Sequence, residues 1–296
     1  MKRLYLNLVL LAVLAGLGVA IWLAQEEKEK GPPLTALSQD QVTHISIAHP
    51  DQPAIELEKI EGQWRLVSPV KAIADKYEVN GILALATLEI GKQLDGATNL
   101  SELGLKPPKY SVTLDDVRID LGGTEPIKFR RYVSTGGKVG LVPDPPSAAL
   151  DADYSDLVAK QIVPEGREIT RISLPALTLE KADGGAWKAA EAPDAKASDL
   201  SALAESWRTA KAMWNAAEPA EGSSGDAITL VLDDGEQIDL VVAARDPQLI
   251  LSRPALGMRY TLSKALTETL LQLPAQAPEA DGESLAEEAP EAETQQ

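Results

Sequence analysis

The chain has 296 residues, no cysteine and a formal net charge of −17. Without cysteine there is neither a disulfide nor thiol chemistry, so the folded part must be held by its own core. The acidity, with no cluster of Lys and Arg anywhere, argues against nucleic acid or anionic headgroups as targets.

Lys2 and Arg3 precede a run from Leu4 to Ala24 that contains no charged residue. At about 1.5 Å rise, roughly 21 residues span about 31 Å, the thickness of a bilayer core. Residues 1–24 therefore read as a membrane anchor carried by Leu4, Leu10, Leu17, Trp22 and Ala24, with Trp22 suited to the headgroup zone. The competing reading is a cleaved signal peptide, whose apolar core is usually shorter, about 7 to 15 residues. The short basic N-terminus favours N-terminus inside, which puts the bulk of the chain in the periplasm, on a single-pass inner-membrane anchor. Residues 25–37, with Gly31-Pro32-Pro33, read as a stiff polar linker.

The folded part reads as α+β, a tandem duplication of antiparallel sheet with covering helices, over residues 38–165 and an abridged second copy over 166–275. In the first copy, Ile45 and Ile47, then Ile55 and Leu57, then Trp64 and Leu66 alternate as three strands with turns at Pro50-Asp51 and Glu61-Gly62. Asp75 with Glu78 three residues later fits a helix N-cap and capping box, and Val79, Ile82, Ala86 and Ile90 extend that helix to about Ile90. Residues 100–108 read as a one-turn helix closed by Gly104. Two hairpins follow, 110–121 around Asp115-Asp116 and 127–142 around Gly136-Gly137, then a helix over about 146–162.

The second copy repeats the order. Leu177-Thr-Leu-Glu-Lys181 leading to Trp187 echoes Ile55-Glu-Leu-Glu-Lys59 leading to Trp64, 123 residues earlier by the two tryptophans. Ile169-Thr-Arg-Ile-Ser-Leu174 echoes Val42-Thr-His-Ile-Ser-Ile47. Leu200, Leu203, Trp207, Ala210 and Trp214 recur at helical spacing over 198–214. A loop over 218–226, a hairpin at Asp234-Gly235, strands near 249–252 and 258–262 and a helix over 263–273 complete it. Residues 276–296 carry seven acids, no base and almost no large apolar residue, and read as a disordered acidic tail.

Glu58-Lys-Ile-Glu-Gly-Gln-Trp64, then Ser68-Pro69, Ala74-Asp75 with its helix, and Glu102-Leu-Gly-Leu105 with Pro107 resemble the domain-of-unknown-function family numbered 4340. The resemblance is firm over about residues 40–145 and weaker beyond. Its members are bacterial membrane-anchored extracytoplasmic proteins, some associated with ABC transport systems of the gliding-motility type. The resemblance implies an extracytoplasmic compartment and an ABC transporter as a membrane partner, and implies no catalytic residue.

Residues with chemistry to offer have structural explanations. The only histidines are His44 and His49, and His44 aligns with Arg171 of the second copy, a solvent-facing strand position. Asp151, Asp153 and Asp156 resemble the start of a calcium loop but lack its central Gly and closing Glu, so they read as helix-capping acids. Asp115-Asp116 and Asp233-Asp234 sit where hairpins turn. Gly222-Ser-Ser-Gly225 lacks the spacing of a nucleophile elbow, and Gly122-Gly123 has no following phosphate-binding helix. Glu58, Lys59 and Trp64, repeated as Glu180, Lys181 and Trp187, read as packing and turn support. No catalytic residue, cofactor or metal is expected. The leading expectation is a non-enzymatic, membrane-tethered interaction or assembly module, an accessory of an ABC transport system. The alternative is a binder of an envelope polymer or lipid in the groove between the modules, and a carboxylate-dependent hydrolase comes third.

Overall fold

The computed structural model describes residues 5, 7, 10–18, 31–94, 99–144, 150 and 153–273. The first sheet grows from β1 (His44–Ala48), whose alternation buries Ile45 and Ile47 and turns His44 and Ser46 to the other face. β2 (Ile55–Ile60) pairs with it so that Leu57 lies opposite Ile45 and Ile55 opposite Ile47. Glu61 and Gly62, at φ 52° and 83°, then form the two-residue left-handed turn that the strand twist favours, leading into β3 (Gln63–Ser68). β4 (Ala72–Ile73) forms the edge.

From that edge α1 (Lys76–Leu83) carries the chain across the sheet, burying Val79, Ile82 and Leu83. Asp75 caps it, accepting from the N–H groups of Tyr77 (2.9 Å) and Glu78 (3.4 Å). The reciprocal half of the capping box does not form. Asp75 N–H donates instead to the Leu157 carbonyl at 2.7 Å, and the Glu78 carboxylate meets Lys160 at 3.2 Å. The periodicity carries the helix to about Ile90, but it tightens to a 3₁₀ turn at Ala84–Thr87 and ends. The cause is a competing partner: Leu34 N–H bonds the Leu88 carbonyl (2.6 Å) and Ile90 N–H the Pro32 carbonyl (2.9 Å). The latter part of the expected linker is thus built into the first module, with Leu34 and Thr35 buried.

β5 (Lys92–Leu94), β6 (Tyr110–Leu114), β7 (Val117–Thr124), β8 (Arg131–Thr135) and β9 (Lys138–Val142) complete a sheet of order β4-β3-β2-β1-β6-β7-β8-β9-β5, antiparallel throughout. Residues 100–108 form successive turns in place of a helical turn; Gly104, at φ 67°, packs them onto β7, where a Cβ on Gly122 would lie 2.3 Å from the Leu103 carbonyl oxygen. That contact explains Gly122 without any phosphate. Residues 127–130 are not strand, because Glu125 N–H closes a loop onto the Arg130 carbonyl.

The second sheet uses β10 (Ile169–Leu174), β11 (Leu177–Lys181), β12 (Trp187–Ala189), β13 (Trp214–Ala217), β14 (Asp226–Leu232), β15 (Gln237–Ala244), β16 (Leu249–Arg253) and β17 (Met258–Leu262), in the order β12-β11-β10-β14-β15-β16-β17-β13. Strand by strand this matches the first sheet without β4. α2 (Ala197–Thr209) again crosses the face, burying Leu200, Leu203, Ala204 and Trp207. It stops before Trp214, which opens β13 with its side chain about half exposed, because Trp214 pairs with Thr261 of β17. α3 (Leu266–Leu271) receives the Trp207 indole N–H on its Leu270 carbonyl at 2.8 Å. Two mainly antiparallel sheets with few helices make the chain α+β.

The expected helix over 146–162 reduces, among its described residues, to Leu150 and a 3₁₀ turn at Tyr154–Leu157, since the rest of this stretch joins the two sheets. Ala159 N–H bonds the Ile73 carbonyl (2.9 Å) on one side, while Ala212 N–H bonds the Lys160 carbonyl (2.8 Å) and Ile162 N–H the Ala210 carbonyl (3.2 Å) on the other. Buried Asn215 donates to the Ser155 (3.1 Å) and Val158 (2.8 Å) carbonyls, and the Tyr154 hydroxyl reaches the carbonyls of Leu256 and Gly257. One apolar core runs through both sheets and this seam, including Leu157, Val158, Ile162 and Val163.

Of the expected anchor, Leu4, Trp22 and Ala24 lie outside the described residues, as does the tail over 276–296. Residues 10–18 are helical, with Leu10 and Leu17 exposed. Among the described residues no helix is long and apolar enough to cross a membrane.

Candidate functional site: the cleft between the two sheets

Because the seam pairs with the edge of each sheet, the surfaces on either side of it cannot close over one another. They leave a cleft of about 910 Å³. Its floor is the seam from Val158 to Gln161. One wall carries Trp64, Arg65, Lys71, Lys76 and Tyr77, from β3, β4 and the start of α1; the other carries Lys211, Arg253 and Tyr260.

The charge of this cleft opposes that of the chain. Seven basic residues line it against four acidic ones, in a protein of net charge −17. Three of the seven are paired. Lys160 lies 3.2 Å from Glu78 and 3.7 Å from Asp75, Arg167 bridges Asp233 (2.8 Å) and Asp234, and Arg253 approaches Glu236 at 3.8 Å. Hydrogen bonds donated to Asp234 and then to Asp233 push the Arg167 guanidinium up, and the bond to Asp234 holds that carboxyl low. Arg65, Lys71, Lys76 and Lys211 have no carboxylate within ion-pair distance among the described residues. Lys76 opens α1 and Lys211 lies between α2 and β13, far apart in the chain, yet both ammonium groups approach the exposed Tyr77 ring, at 5.4 and 5.9 Å from its centroid. The arrangement can hold a ligand with negative charge and a flat or apolar face.

Behind the cleft, Asp156 sits half-buried on the seam. Burial, then the neighbouring carboxylates of Asp153 and Glu78, push its pKa up, against the pull of Lys160. A carboxyl whose folded pKa is raised penalises folding once pH exceeds its unfolded value of about 3.9, and the penalty is complete above the folded value. Asp156→Asn should therefore raise the midpoint of thermal unfolding at neutral pH. The gain should vanish as pH falls below the ordinary carboxylate range, a comparison that thermal melts at several pH values provide.

The repeated residues fall at matching places. Trp64 is the second residue of β3, opposite Lys59, and Trp187 is the first of β12, opposite Lys181. Both indoles are half-buried against the core, but Trp64 also lines the cleft. Glu58 and Glu180 are exposed, Glu180 meeting Arg171 at 3.4 Å, and Lys181 meets Glu168 at 2.9 Å. His44 pairs with Glu56 at 3.0 Å, while the His49 Nε2 lies 2.7 Å from the Leu150 carbonyl oxygen. Asp115 accepts from Thr43 and His44; burial raises its pKa, and those N–H donors, outweighing it, hold the carboxyl below its ordinary value. Asp153 caps its own turn through Ser155, and Asp151 lies outside the described residues. Gly225 is packed against β15, where a Cβ would meet the Val242 carbonyl oxygen at 2.1 Å. Among the described residues no group of three or more His, Asp or Glu is placed to hold a metal ion. Sequence reasoning passed over Tyr77, Lys76 and Lys211, whose one signal was an aromatic at a solvent-side helix position directly after a lysine.

The fold and cleft define a two-sheet α+β protein whose sheets are welded by a shared seam with a basic cleft beside it. The chain belongs to the family described as Domain of unknown function (DUF4340), which matches residues 64–234. That match runs from β3 of the first sheet to the β14–β15 turn of the second, so it starts later than the resemblance drawn from about residue 40 and extends past residue 145, where that resemblance weakens. No curated protein and no solved structure matches the chain.

Proposed function

We propose that the protein is a non-enzymatic, membrane-tethered extracytoplasmic interaction module that takes its partner in the cleft between two duplicated α+β units. The observation that carries this reading is the cleft itself, about 910 Å³ with four cations that meet no carboxylate among the described residues, in a protein otherwise strongly acidic. Clefts between units are favoured binding places, and charge of sign opposite to the surrounding surface selects the partner. The matching strand orders support the duplication, and the uncharged run from Leu4 to Ala24 supports the tether. In keeping with the family resemblance, the partner is a component of an ABC transport system in the same membrane.

A second reading, an acidic envelope polymer lying in the same cleft, is favoured by the exposed Tyr77 ring between Lys76 and Lys211. A hydrolase has less support, since Asp75, the buried carboxylate at the cleft, already accepts two backbone N–H groups. A photo-crosslinking amino acid at position 77, in intact cells, tests the proposal. Adducts with an integral membrane protein that are absent when the probe replaces exposed Asp116 are expected. Carbohydrate in the adduct would favour the second reading; identical or absent adducts at both positions would remove the cleft as the interaction site.

A further inference from the structure

The loop between β7 and β8 exposes apolar side chains and holds them there. Its base is closed by Glu125 N–H to the Arg130 carbonyl at 2.7 Å and by a two-pronged ion pair, Arg130 Nε to Glu125 Oε2 at 2.7 Å and Nη2 to Oε1 at 2.9 Å. Between the clamped ends, Ile127 is 82% exposed and Phe129 71% exposed. Phe129 is the only phenylalanine in the chain, and it sits at φ 52°, a left-handed conformation in which a bulky aromatic is strained. Neither the strain nor the exposure benefits the fold.

The loop lies where the chain enters the fold from its N-terminal run. Arg131, at the start of β8, is opposite Val142, and the adjacent Leu141 is opposite Lys92 at the start of β5. Gly91 N–H bonds the Leu141 carbonyl, and Ile90 N–H bonds the Pro32 carbonyl. Residues 31–32 are thus at the same end of the sheet as the loop, while the turns at Asp115-Asp116 and Gly136-Gly137 are at the other. Lys92 and Lys128 lie close enough to act on Glu125, whose carboxyl is held low chiefly by its hydrogen bond from Arg130, against burial. Between Ala24, where the apolar run ends, and residue 31, only residues 25–30 intervene, and the seven steps between them reach at most about 25 Å.

We infer that Ile127 and Phe129 rest in the interfacial layer of the bilayer, giving the first sheet a second point of contact beside the tether. This rests on the membrane-tethered reading proposed above. Apolar tips flanked by lysines suit the boundary between acyl chains and headgroups, where the stems lie along apolar surface and the ammonium groups stay in water. A net charge of −17 leaves apolar insertion, rather than attraction to anionic lipid, as the driving force. Held at two points, the module would present its cleft in a fixed orientation.

The absence of cysteine makes the test direct. A single cysteine, Phe129→Cys or, separately, Ile127→Cys, is labelled with an environment-sensitive fluorophore, and the full chain is reconstituted into phosphatidylcholine vesicles. Both positions are exposed, so the label displaces no packing. At either position the emission should shift to the blue and be quenched by nitroxide-bearing lipid, with neither effect at Asp116→Cys. Protein that floats with the vesicles but gives the same signal at 129 as at 116 would overturn this inference alone, as would a blue shift without lipid quenching, which marks a protein pocket. Protein that does not float would overturn the tether and this inference with it.

Discussion

Replacing Trp207 by alanine should lower stability by about 3–5 kcal/mol, the range for deleting a fully buried large aromatic. Among the described residues Trp207 is the largest fully buried side chain, and it performs two jobs. Its ring fills the space under α2 beside Leu200 and Leu203, and its indole N–H satisfies the Leu270 carbonyl at 2.8 Å, fastening α3 to α2. Trp207→Phe separates the two. It keeps most of the apolar burial but orphans a carbonyl, which should cost about 1–3 kcal/mol. Equilibrium denaturation in urea measures both. A Trp207→Ala midpoint equal to that of the parent protein would mean that α2 does not pack as described.

Asn215→Ala should cost about 1–3 kcal/mol, because it leaves the buried Val158 carbonyl without its donor and removes one of the two donors of the Ser155 carbonyl, which keeps only the Val158 N–H. Its second consequence is local. These bonds hold the seam to β13, so their loss should make the bonds around residues 155–162 open more readily than those of the sheets, seen as faster amide hydrogen exchange there. Because that seam is the floor of the cleft, crosslinking from position 77 should weaken in the same variant. Unchanged exchange in the seam would show that the backbone bonds to Ile73, Ala210 and Ala212 suffice.

The site divides similarly between what a sequence can show and what folding assembles. Arg65, Lys71 and Lys76 lie in one short stretch, but Lys211 comes from the segment between α2 and β13, and no local pattern links it to Tyr77. The first-sheet tryptophan became a cleft residue and its second-sheet counterpart did not. The difference arises because the seam pairs with β4, at the β3 side of the first sheet, but with the segment before β13, at the opposite edge of the second.

By itself the sequence determined the strand alternation around Ile45, Leu57 and Leu66, the turns at Glu61-Gly62 and Asp115-Asp116, the Asp75 cap and the repetition of β1–β3 as β10–β12. These follow from interactions within a few residues, where side-chain period and backbone preference act directly. Only the tertiary structure decided where α1 and α2 stop, that residues 31–37 belong to the first sheet's unit, that the stretch expected as helix over 146–162 becomes a seam, and that Ile127 and Phe129 stand exposed on a clamped loop. In all but the last of these the winning partner is distant in the chain: Pro32 for Ile90, Ile73 and Ala210 for the seam, Thr261 for Trp214. A backbone N–H or carbonyl satisfied by such a partner overrides local helical preference, which is worth well under about 1 kcal/mol per residue.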